Sequence, residues 1–428
     1  MMRVAMISEH ASPLACLGGA DGGGQNVYVA QLARHLGRAG YDVDVFTRRD
    51  DPGQPPAVEF APNARVVHVP AGPPERVRKE DQLPYMGAFA RFLVRWARRT
   101  GGYNVLHANF FMSALAACEA KRELGAPVVV TFHALGRVRR LHQGPADNFP
   151  AERLAIEDRV VAEADRIIAE CPQDATDLTT LYRADRARLQ TVPCGFDPEE
   201  FGPMNRLRVR AALRLSPAQF VVLQLGRMVP RKGVDNVIRG VGLLRRAHGI
   251  DARLLVVGGE SRDPDPAVTP ELGRLMAVAA EEGMSDRVTF SGARGRSELR
   301  AYYAAADVFV TTPWYEPFGI TPLEAMACGT PVIGANVGGI KYSVRDGQTG
   351  FLVPPKDPAA LAERLAILAR DPELLRGMSR RARLRAVANF TWARVAEQVA
   401  RVYAEVARPT PLVRTLAGNV AREVRSSP

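Results

Sequence analysis

Two glutamates with seven residues between them enclose the stretch with the strongest chemical signal, Glu316-Pro-Phe-Gly-Ile-Thr-Pro-Leu-Glu324. Thr321, Pro322 and Glu324 fit the N-cap, first and third positions of a helix, so the spacing predicts a helix that begins here with a capping box. A helix N-terminus beside a flexible glycine attracts phosphate. The residues alone leave two interpretations open: a phosphate-binding site, or a capping box in which Glu324 only holds the helix start.

A second candidate site is Gly226-Arg227-Met-Val-Pro-Arg-Lys232-Gly, between a predicted strand and a helix that begins near Val234. Two cations at a strand end beside a helix N-terminus suit a diphosphate, which carries dense negative charge. The chain has five Lys against 52 Arg. Because lysine is rare in this chain, its use here indicates a need for a compact point charge instead of a guanidinium. An ordinary surface turn is the alternative.

A glycine-rich loop, Gly18-Gly-Ala-Asp-Gly22-Gly-Gly24, follows the first predicted strand. Glycines let backbone amides approach an anion, although a flexible turn is also compatible with them. The loop is not a dinucleotide-binding fingerprint, because Gly22-x-Gly24 is followed at the third place by Val27. The P-loop sequence G-K-[ST] does not occur in it.

Two histidines follow or close predicted strands. His133 comes directly after the strand 128–132, and the carboxyl end of a strand is where ligands bind in α/β sheets. A packed loop histidine is the alternative. His107 lies one strand earlier, and we expect it to be structural.

The elements that must position these residues alternate between apolar runs and helical patterns. Predicted strands at 3–8, 43–47, 66–69, 103–107, 128–132, 166–169 and 189–193 form one parallel α/β domain. After a break at 194–204, a second series follows at 220–225, 254–257, 288–291, 308–311, 331–334 and 350–353. Residues 357–407 are helical in pattern, and Pro409 and Pro411 should stop the last helix before a loose end.

The pattern therefore predicts two Rossmann-like, doubly wound α/β domains that face a central cleft. We expect an N-terminal acceptor-binding domain at 1–200 and a C-terminal nucleotide-sugar-binding domain at 201–388. The segment 389–428 should pack back on the first domain and end in a loose tail.

Composition restricts the partners. The formal net charge is +11, yet nearly all basic residues are Arg, so we interpret the excess as coding bias and exclude nucleic acid. Residues 371–428 hold eleven Arg against five acidic residues, which leaves peripheral contact with anionic lipid open. The five cysteines lie far apart without a C-x-x-C, which predicts a reducing cytoplasm. Neither a signal peptide nor a membrane span is predicted.

Taken together, these motifs resemble retaining glycosyltransferases of family GT4, which have the two-domain GT-B fold. The resemblance covers essentially the full chain: the glycine-rich start, the Arg227–Lys232 loop, the Glu-x7-Glu stretch and Phe390-Thr-Trp392 before the last helix. It implies that Glu324 binds the nucleotide ribose and that Glu316 binds the transferred sugar. The donor that the resemblance implies is a nucleotide diphosphate sugar, with UDP favoured and GDP as the other candidate.

The resemblance extends to individual residues. His133, Arg227, Lys232 and Glu316 would be catalytic, with His133 near the sugar 6-hydroxyl and the two cations on the leaving diphosphate. No metal or other cofactor is implied. Further donor contacts would come from the glycine loops, the nucleobase loop and the backbone after Glu316: Gly23, Gly24, Gly226, Arg294, Phe318, Gly319 and Ile320.

The N-terminal half is most similar to the branch that contains sucrose-phosphate synthase and the glycosyltransferase of mycothiol synthesis. In that branch, basic residues matching Lys79 and Arg153 hold an acceptor phosphate, and Asn26 lies beside the glycine loop. At two positions where that branch has a residue with a hydroxyl group, this chain has Phe110 and Ala134 instead. We therefore expect a small polar acceptor, with a sugar phosphate as the first candidate. A lipid-linked, polysaccharide or natural-product acceptor is the alternative.

Other classes fit less well. An NADP-dependent oxidoreductase would explain the glycine-rich start and Arg48-Arg49, but not the two-glutamate stretch. The presence of Glu316, Arg227 and Lys232 together argues against a nucleotide-sugar-binding protein without turnover. A UDP-sugar epimerase of the same fold stays open, and analysis of the reaction product would identify it. The sequence leaves a monomer and a homodimer equally open.

Overall fold

The computed structural model describes residues 1–15 and 23–407. Two predictions concern positions outside these described residues: the part of the glycine-rich loop at 18–22, and the stop at Pro409 and Pro411 with its loose end.

The N-terminal half contains one eight-stranded sheet. Its strands are β1 (Arg3–Ile7), β2 (Asp42–Arg48), β3 (Ala57–Ala61), β4 (Ala64–Val69), β5 (Val105–Asn109), β6 (Val128–Thr131), β7 (Arg166–Ala169) and β8 (Leu189–Thr191). They lie in the order β3-β4-β2-β1-β5-β6-β7-β8, and all pair in parallel except β3 with β4. The sequence did not predict β3, a half-buried edge strand of five residues.

Helices cover both faces of this sheet, as parallel strands require. They are α1 (Gly24–Arg38), α2 (Met86–Thr100), α3 (Phe111–Leu124), α4 (Gly136–Gln143), α5 (Arg153–Glu163) and α6 (Pro172–Tyr182). Short 3₁₀ turns lie at Lys79–Asp81, Leu83–Tyr85, Gly144–Ala146 and Arg186–Arg188. The neighbouring strand pair β1 and β5 is the topological switch point, so the loops after these strands border a crevice.

The C-terminal half has a six-stranded, fully parallel sheet. Its strands are β9 (Phe220–Leu225), β10 (Ala252–Val257), β11 (Val288–Phe290), β12 (Val308–Thr311), β13 (Val332–Ala335) and β14 (Gly350–Val353). The order β11-β10-β9-β12-β13-β14 is that of a dinucleotide-binding fold, with its switch point between β9 and β12. The expected GT-B architecture of two Rossmann-like domains is confirmed.

The helices of this half continue the series. They are α7 (Arg206–Ala212), α8 (Val234–His248), α9 (Pro270–Glu281), α10 (Arg296–Ala305), α11 (Ile320–Ala327), α12 (Ile340–Ser343), α13 (Pro358–Arg370), α14 (Pro372–Asn389) and α15 (Trp392–Val406), with a 3₁₀ turn at Pro230–Lys232.

The last helix returns to the first domain. Thr391 caps α15 by accepting a hydrogen bond from the amide of Arg394, and buried residues recur from Trp392 to Tyr403 at helical spacing. This face packs against α1, and the Trp392 indole meets Tyr28 edge-to-face at 5.7 Å. One apolar cluster therefore runs through both sheets and α15, and it places the two domains against each other.

Candidate active site

A cavity of about 320 Å³ lies between the two domains. It is lined by loops that follow β1, β5 and β6 on one side and β9, β10 and β12 on the other. The cavity therefore lies where the carboxyl ends of both sheets face each other, as the switch-point rule requires. Every site residue predicted from the sequence lines it except Arg153: Gly23, Gly24, Asn26, Lys79, His133, Gly226, Arg227, Lys232, Arg294, Glu316, Phe318, Gly319, Ile320 and Glu324.

Lys232 and Glu316 form the central ion pair of the cavity. The Lys232 ammonium donates a hydrogen bond to Oε2 of Glu316, and Nη1 of Arg231 lies 4.0 Å from the same oxygen. Lys232 ends the 3₁₀ turn after β9, and Glu316 follows β12, the neighbouring strand across the switch point. Strand order thus brings together two residues that are distant in the chain.

The charges of this pair affect each other. Burial lowers the pKa of Lys232 to about 8, and the neighbouring Arg231 and Arg227 act in the same direction, against the attraction of Glu316. Burial acts to raise the pKa of Glu316, but the three cations outweigh it and the pKa is lowered. Glu316 is therefore a carboxylate, whereas Lys232 can lose its proton in mildly alkaline solution.

A close backbone approach fixes the loop that carries Glu316. A Cβ at Gly338 would lie 1.7 Å from the carbonyl oxygen of Glu316, so only glycine fits there. Gly319 has φ 91° and is the N-cap of α11, which begins at Ile320. The predicted capping box is therefore wrong: Thr321 is already the second helical residue, and no side chain caps the helix.

Glu324 instead points into a buried polar cluster, and its side chain is 3% exposed. Oε1 accepts a hydrogen bond from Nη1 of Arg296 at 2.9 Å, and Oε2 accepts one from the Tyr303 hydroxyl at 2.9 Å. The carboxylate lines the cavity near Arg294, whose side chain is held by Tyr302 and by the carbonyl of Arg262. The Glu324 side chain thus lines the cavity and takes no part in capping the helix.

The N-terminus of α1 forms the opposite wall. Gly23 is the N-cap, and its amide donates to Oδ1 of Asn26 at 3.0 Å. A Cβ at Gly23 would lie 3.9 Å from Cζ of Arg227, so this helix start and the cation loop of the other domain are neighbours. A helix N-terminus beside a guanidinium forms an anion-binding environment.

His133 lines the cavity in a left-handed backbone conformation with φ 57°. Its Nδ1 lies 2.9 Å from Oε1 of Glu170, and its Nε2 lies 3.0 Å from Oδ1 of Asn109. Tyr28 meets the ring edge-to-face at 4.7 Å. The imidazole is therefore held on three sides, and a contact with a sugar hydroxyl through Nε2 would replace the bond to Asn109.

His107, which the sequence indicated as structural, is fully buried between Tyr403 and Thr131. Its Nδ1 lies 2.6 Å from the Tyr403 hydroxyl, and its Nε2 lies 3.0 Å from the Thr131 hydroxyl. Burial, with a smaller contribution from His133, lowers the pKa of His107 to about 3. The neutral imidazole connects β5 to α15.

Arg153 is the predicted site residue that does not line the cavity. The side chain is 1% exposed, and its Nε donates to Oε1 of Glu157 at 2.7 Å. The guanidinium stacks on three phenylalanine rings at 4.6–5.0 Å: Phe110, Phe111 and Phe149. Its Nη1 is buried without a hydrogen-bond partner in the described part of the chain, and its predicted role in acceptor binding stays a prediction.

Several cavity residues were not singled out from the sequence. Arg231 stacks on Tyr315 at 5.2 Å, and its Nη1 is buried without a hydrogen-bond partner in the described part of the chain. Arg139 on α4 lines the cavity from the N-terminal domain, pairs with Asp147 at 2.9 Å and stacks on Phe149. Arg231 lies within the motif already quoted, but Arg139 has no local signal.

Residues 1–15 and 23–407 contain no group of three or more His, Cys, Asp or Glu side chains that could hold a metal ion. Over the same residues, no helix combines the length and the apolar character needed to cross a bilayer.

Known protein families match both halves of the chain. Residues 22–200 match the family described as Glycosyltransferase Family 4, and residues 205–385 match Glycosyl transferases group 1. The chain is 38% identical over 415 residues to a D-inositol 3-phosphate glycosyltransferase from Actinosynnema mirum, covering 95% of this chain and 97% of that protein. A protein of the same name from Nocardia farcinica is 38% identical over 406 residues, covering 94% of this chain and 89% of that one.

Solved structures agree with these matches. Sucrose-phosphate synthase from Thermosynechococcus elongatus superposes with a TM-score of 0.87 and 32% identity, covering 95% of this chain and 99% of that one. HepE from Anabaena, solved in complex with UDP-glucose, superposes with a TM-score of 0.73 at 20% identity, covering 95% and 100% of the two chains, and supports the fold. The chain therefore belongs to glycosyltransferase family 4 and is a glycosyltransferase with the GT-B fold.

Proposed function

We propose that the protein transfers a hexosyl unit from a nucleotide diphosphate sugar to a small polar acceptor, with retention of anomeric configuration. A UDP-sugar is the favoured donor and a GDP-sugar the second candidate. The observation that carries the proposal is the ion pair of Lys232 with Glu316, flanked by Arg231 and Arg227 inside the cavity between the domains.

This arrangement suits a leaving diphosphate. The donor diphosphate would lie between the cation loop and the N-terminus of α1. It would replace Glu316 as the partner of the Lys232 ammonium. Glu316 would then accept hydrogen bonds from the sugar hydroxyls, as the family resemblance implies. Preorganised cations where negative charge develops are commonly the largest catalytic contribution, so we propose that no metal ion is required.

The carboxylates of the cavity are held in place by hydrogen bonds. The acidic side chains that line the cavity in the described residues are Glu170, Glu316 and Glu324. Each is engaged: Glu170 with His133 and Cys194, Glu316 with Lys232, and Glu324 with Arg296 and Tyr303. These donors orient the carboxylates as hydrogen-bond acceptors for the substrate, and the family resemblance implies a front-face substitution. The acceptor oxygen would bond to C1 on the face that the diphosphate leaves, and a phosphate oxygen would take the acceptor proton.

We propose a phosphorylated sugar or cyclitol as the acceptor. The name of the Actinosynnema mirum relative states that it acts on inositol 3-phosphate. Two cations, Lys79 and Arg139, line the half of the cavity that the N-terminal domain provides. They would hold the phosphate in place of Arg153, which is buried against Glu157.

A second candidate is an acceptor without phosphate. It is favoured by Phe110 and Ala134, which line the same half of the cavity and offer no hydroxyl group. Each missing neutral hydrogen bond removes about 1 kcal/mol of phosphate affinity.

Paired acceptors test the proposal. With UDP-sugars and GDP-sugars as donors, we expect inositol phosphates or hexose phosphates to have lower KM values than the same molecules without phosphate. Lys79→Ala and Arg139→Ala should each raise KM for the phosphorylated member about tenfold and leave the other member unchanged. The exposed Arg140→Ala, on the same helix as Arg139, is the matched control. Equal KM values for both members, unaffected by either variant, would favour the acceptor without phosphate.

A further inference from the structure

Arg296 occupies an unusual position for an arginine. It is the first residue of α10, where the positive end of the helix dipole disfavours a cation. The side chain is nevertheless mostly buried, with 18% of its surface exposed, and it lines the cavity. Because its helix gains nothing from this charge, the reason for an arginine must lie in its contacts.

These contacts are two carboxylates and an aromatic ring. Nη1 donates to Oε1 of Glu324 at 2.9 Å, and Nε donates to Oε2 of Glu200 at 2.5 Å. The guanidinium lies 4.8 Å from the ring centre of Phe201. Burial acts to lower the pKa of Arg296, but the carboxylates of Glu324 and Glu200 outweigh it and the pKa is raised. The side chain is therefore a permanent cation fixed in one orientation.

The cluster connects the donor side to the other domain. Glu200 lies in the segment between the two sheets, and its Oε1 accepts a hydrogen bond from Gln31 of α1 at 3.3 Å. Tyr303 holds the second oxygen of Glu324 from within α10. The Glu324 carboxylate is thus oriented by two donors, Arg296 and Tyr303, and each of its oxygens keeps a further lone pair for a ligand.

We infer that Arg296 is a positioning residue for the ribose of the donor nucleotide, because it holds the Glu324 carboxylate in a fixed orientation as an acceptor for the ribose hydroxyls. The inference rests on the proposed function, since it requires a nucleotide in the cavity. Arginine suits the task because its planar fork reaches two carboxylates at once, whereas lysine offers a single point charge.

The inference is tested by comparing the binding of nucleotides that differ only in the ribose hydroxyls. Calorimetry would measure the affinities of UDP, GDP and their 2′,3′-dideoxy counterparts for the full-length protein. We expect the wild type to prefer the ribonucleotide about tenfold or more, as for hydrogen bonds to a charged group. Arg296→Gln should bring this affinity ratio close to one, mainly by weakening the binding of the ribonucleotide.

The matched control is Arg300→Gln. Arg300 lies one turn later on α10 and binds the carbonyls of Gly202 and Pro203 at 2.9 Å, so it also ties α10 to the interdomain segment without touching Glu324. It should keep the wild-type ratio. If Arg296→Gln fails to fold, Arg296→Lys serves instead and should lower the ratio partially.

The possible failures are distinguishable. An Arg296 variant that binds nucleotides with the wild-type preference for ribose overturns the inference and leaves the proposed function intact. A wild-type protein that binds neither nucleotide, or shows no preference for ribose, overturns the nucleotide site at Glu324 and the inference with it.

Discussion

The Lys232 ammonium and the Glu316 carboxylate are hydrogen-bonded across 84 residues of sequence. They meet because β9 and β12 are neighbours at the switch point of the second sheet, and each residue lies in the loop that leaves its strand at the carboxyl end. The lowered pKa of Lys232 gives this pair a measurable pH dependence.

We expect kcat/KM of the wild type to fall as the pH rises through about 8. A lysine whose pKa is lowered loses its charge at a lower pH than usual, and the neutral amine no longer attracts the diphosphate. Steady-state rates between pH 6 and 10 would measure this alkaline limb. Lys232→Arg is the control: because the guanidinium stays charged, its limb should move to higher pH. A flat wild-type profile up to pH 10 would contradict the role of Lys232.

Glu324→Gln should weaken nucleotide-sugar binding by about 1.5–3 kcal/mol, because a neutral amide replaces a charged acceptor. Helix α11 should persist, since its N-cap is Gly319 and the side chain of Glu324 takes no part in capping. Calorimetry with the nucleotide diphosphate gives the affinity, and circular dichroism checks the fold. Unchanged donor affinity in a folded variant would leave Glu324 a purely structural role with Arg296 and Tyr303.

Removing divalent metal should leave turnover largely intact. Arg227, Arg231 and Lys232 lie around one end of the cavity and together can balance the charge of a leaving diphosphate. Rates before and after treatment with EDTA, followed by addition of Mg²⁺ or Mn²⁺, measure the requirement. Loss of activity that only one of these ions restores would mean that the mechanism depends on metal.

Acid should destabilise the protein through His107. Its folded pKa of about 3 lies below the ordinary value of 6.5, so the unfolded chain binds the proton more strongly. This contribution to stability is therefore complete above pH 6.5 and is lost as the pH falls from 6.5 towards 3. The slope for one such group is at most about 1.4 kcal/mol per pH unit.

Urea unfolding at a series of pH values would measure the effect. His107→Gln, which keeps polar atoms for Tyr403 and Thr131 but does not titrate, should show a flatter dependence below pH 6.5. The partly exposed His35→Gln, on the surface side of α1, is the control and should retain the wild-type slope. Identical slopes in wild type and His107→Gln would contradict the assignment.

Much of this architecture could be predicted from local patterns. Apolar runs separated by helical stretches indicated two α/β domains, strand ends indicated the positions of His133 and Lys232, and a predicted helix start indicated that of Glu316. Parallel strand topology then brings such ends together without further information. The five-residue edge strand β3 was missed, because its alternation is too short to distinguish from a loop.

What could not be predicted depends on partners distant in sequence. The start of α11 is set by Gly319 and by the close approach of Gly338 to Glu316, so the local signal at Thr321 was misleading. Arg153 does not line the cavity, because it pairs with Glu157 and packs against phenylalanine rings that come from other elements. Arg296 has no local signal, because its role follows from Glu324 and Glu200.

The anomeric configuration of the product tests the central claim most directly. The purified protein would be incubated with an α-linked nucleotide diphosphate hexose and the acceptor panel, and proton NMR would identify the anomeric signal of the glycoside formed. We expect an α-glycoside, because the acceptor attacks from the face that the diphosphate leaves. A β-glycoside, or release of nucleotide with only an epimerised sugar, would contradict the account.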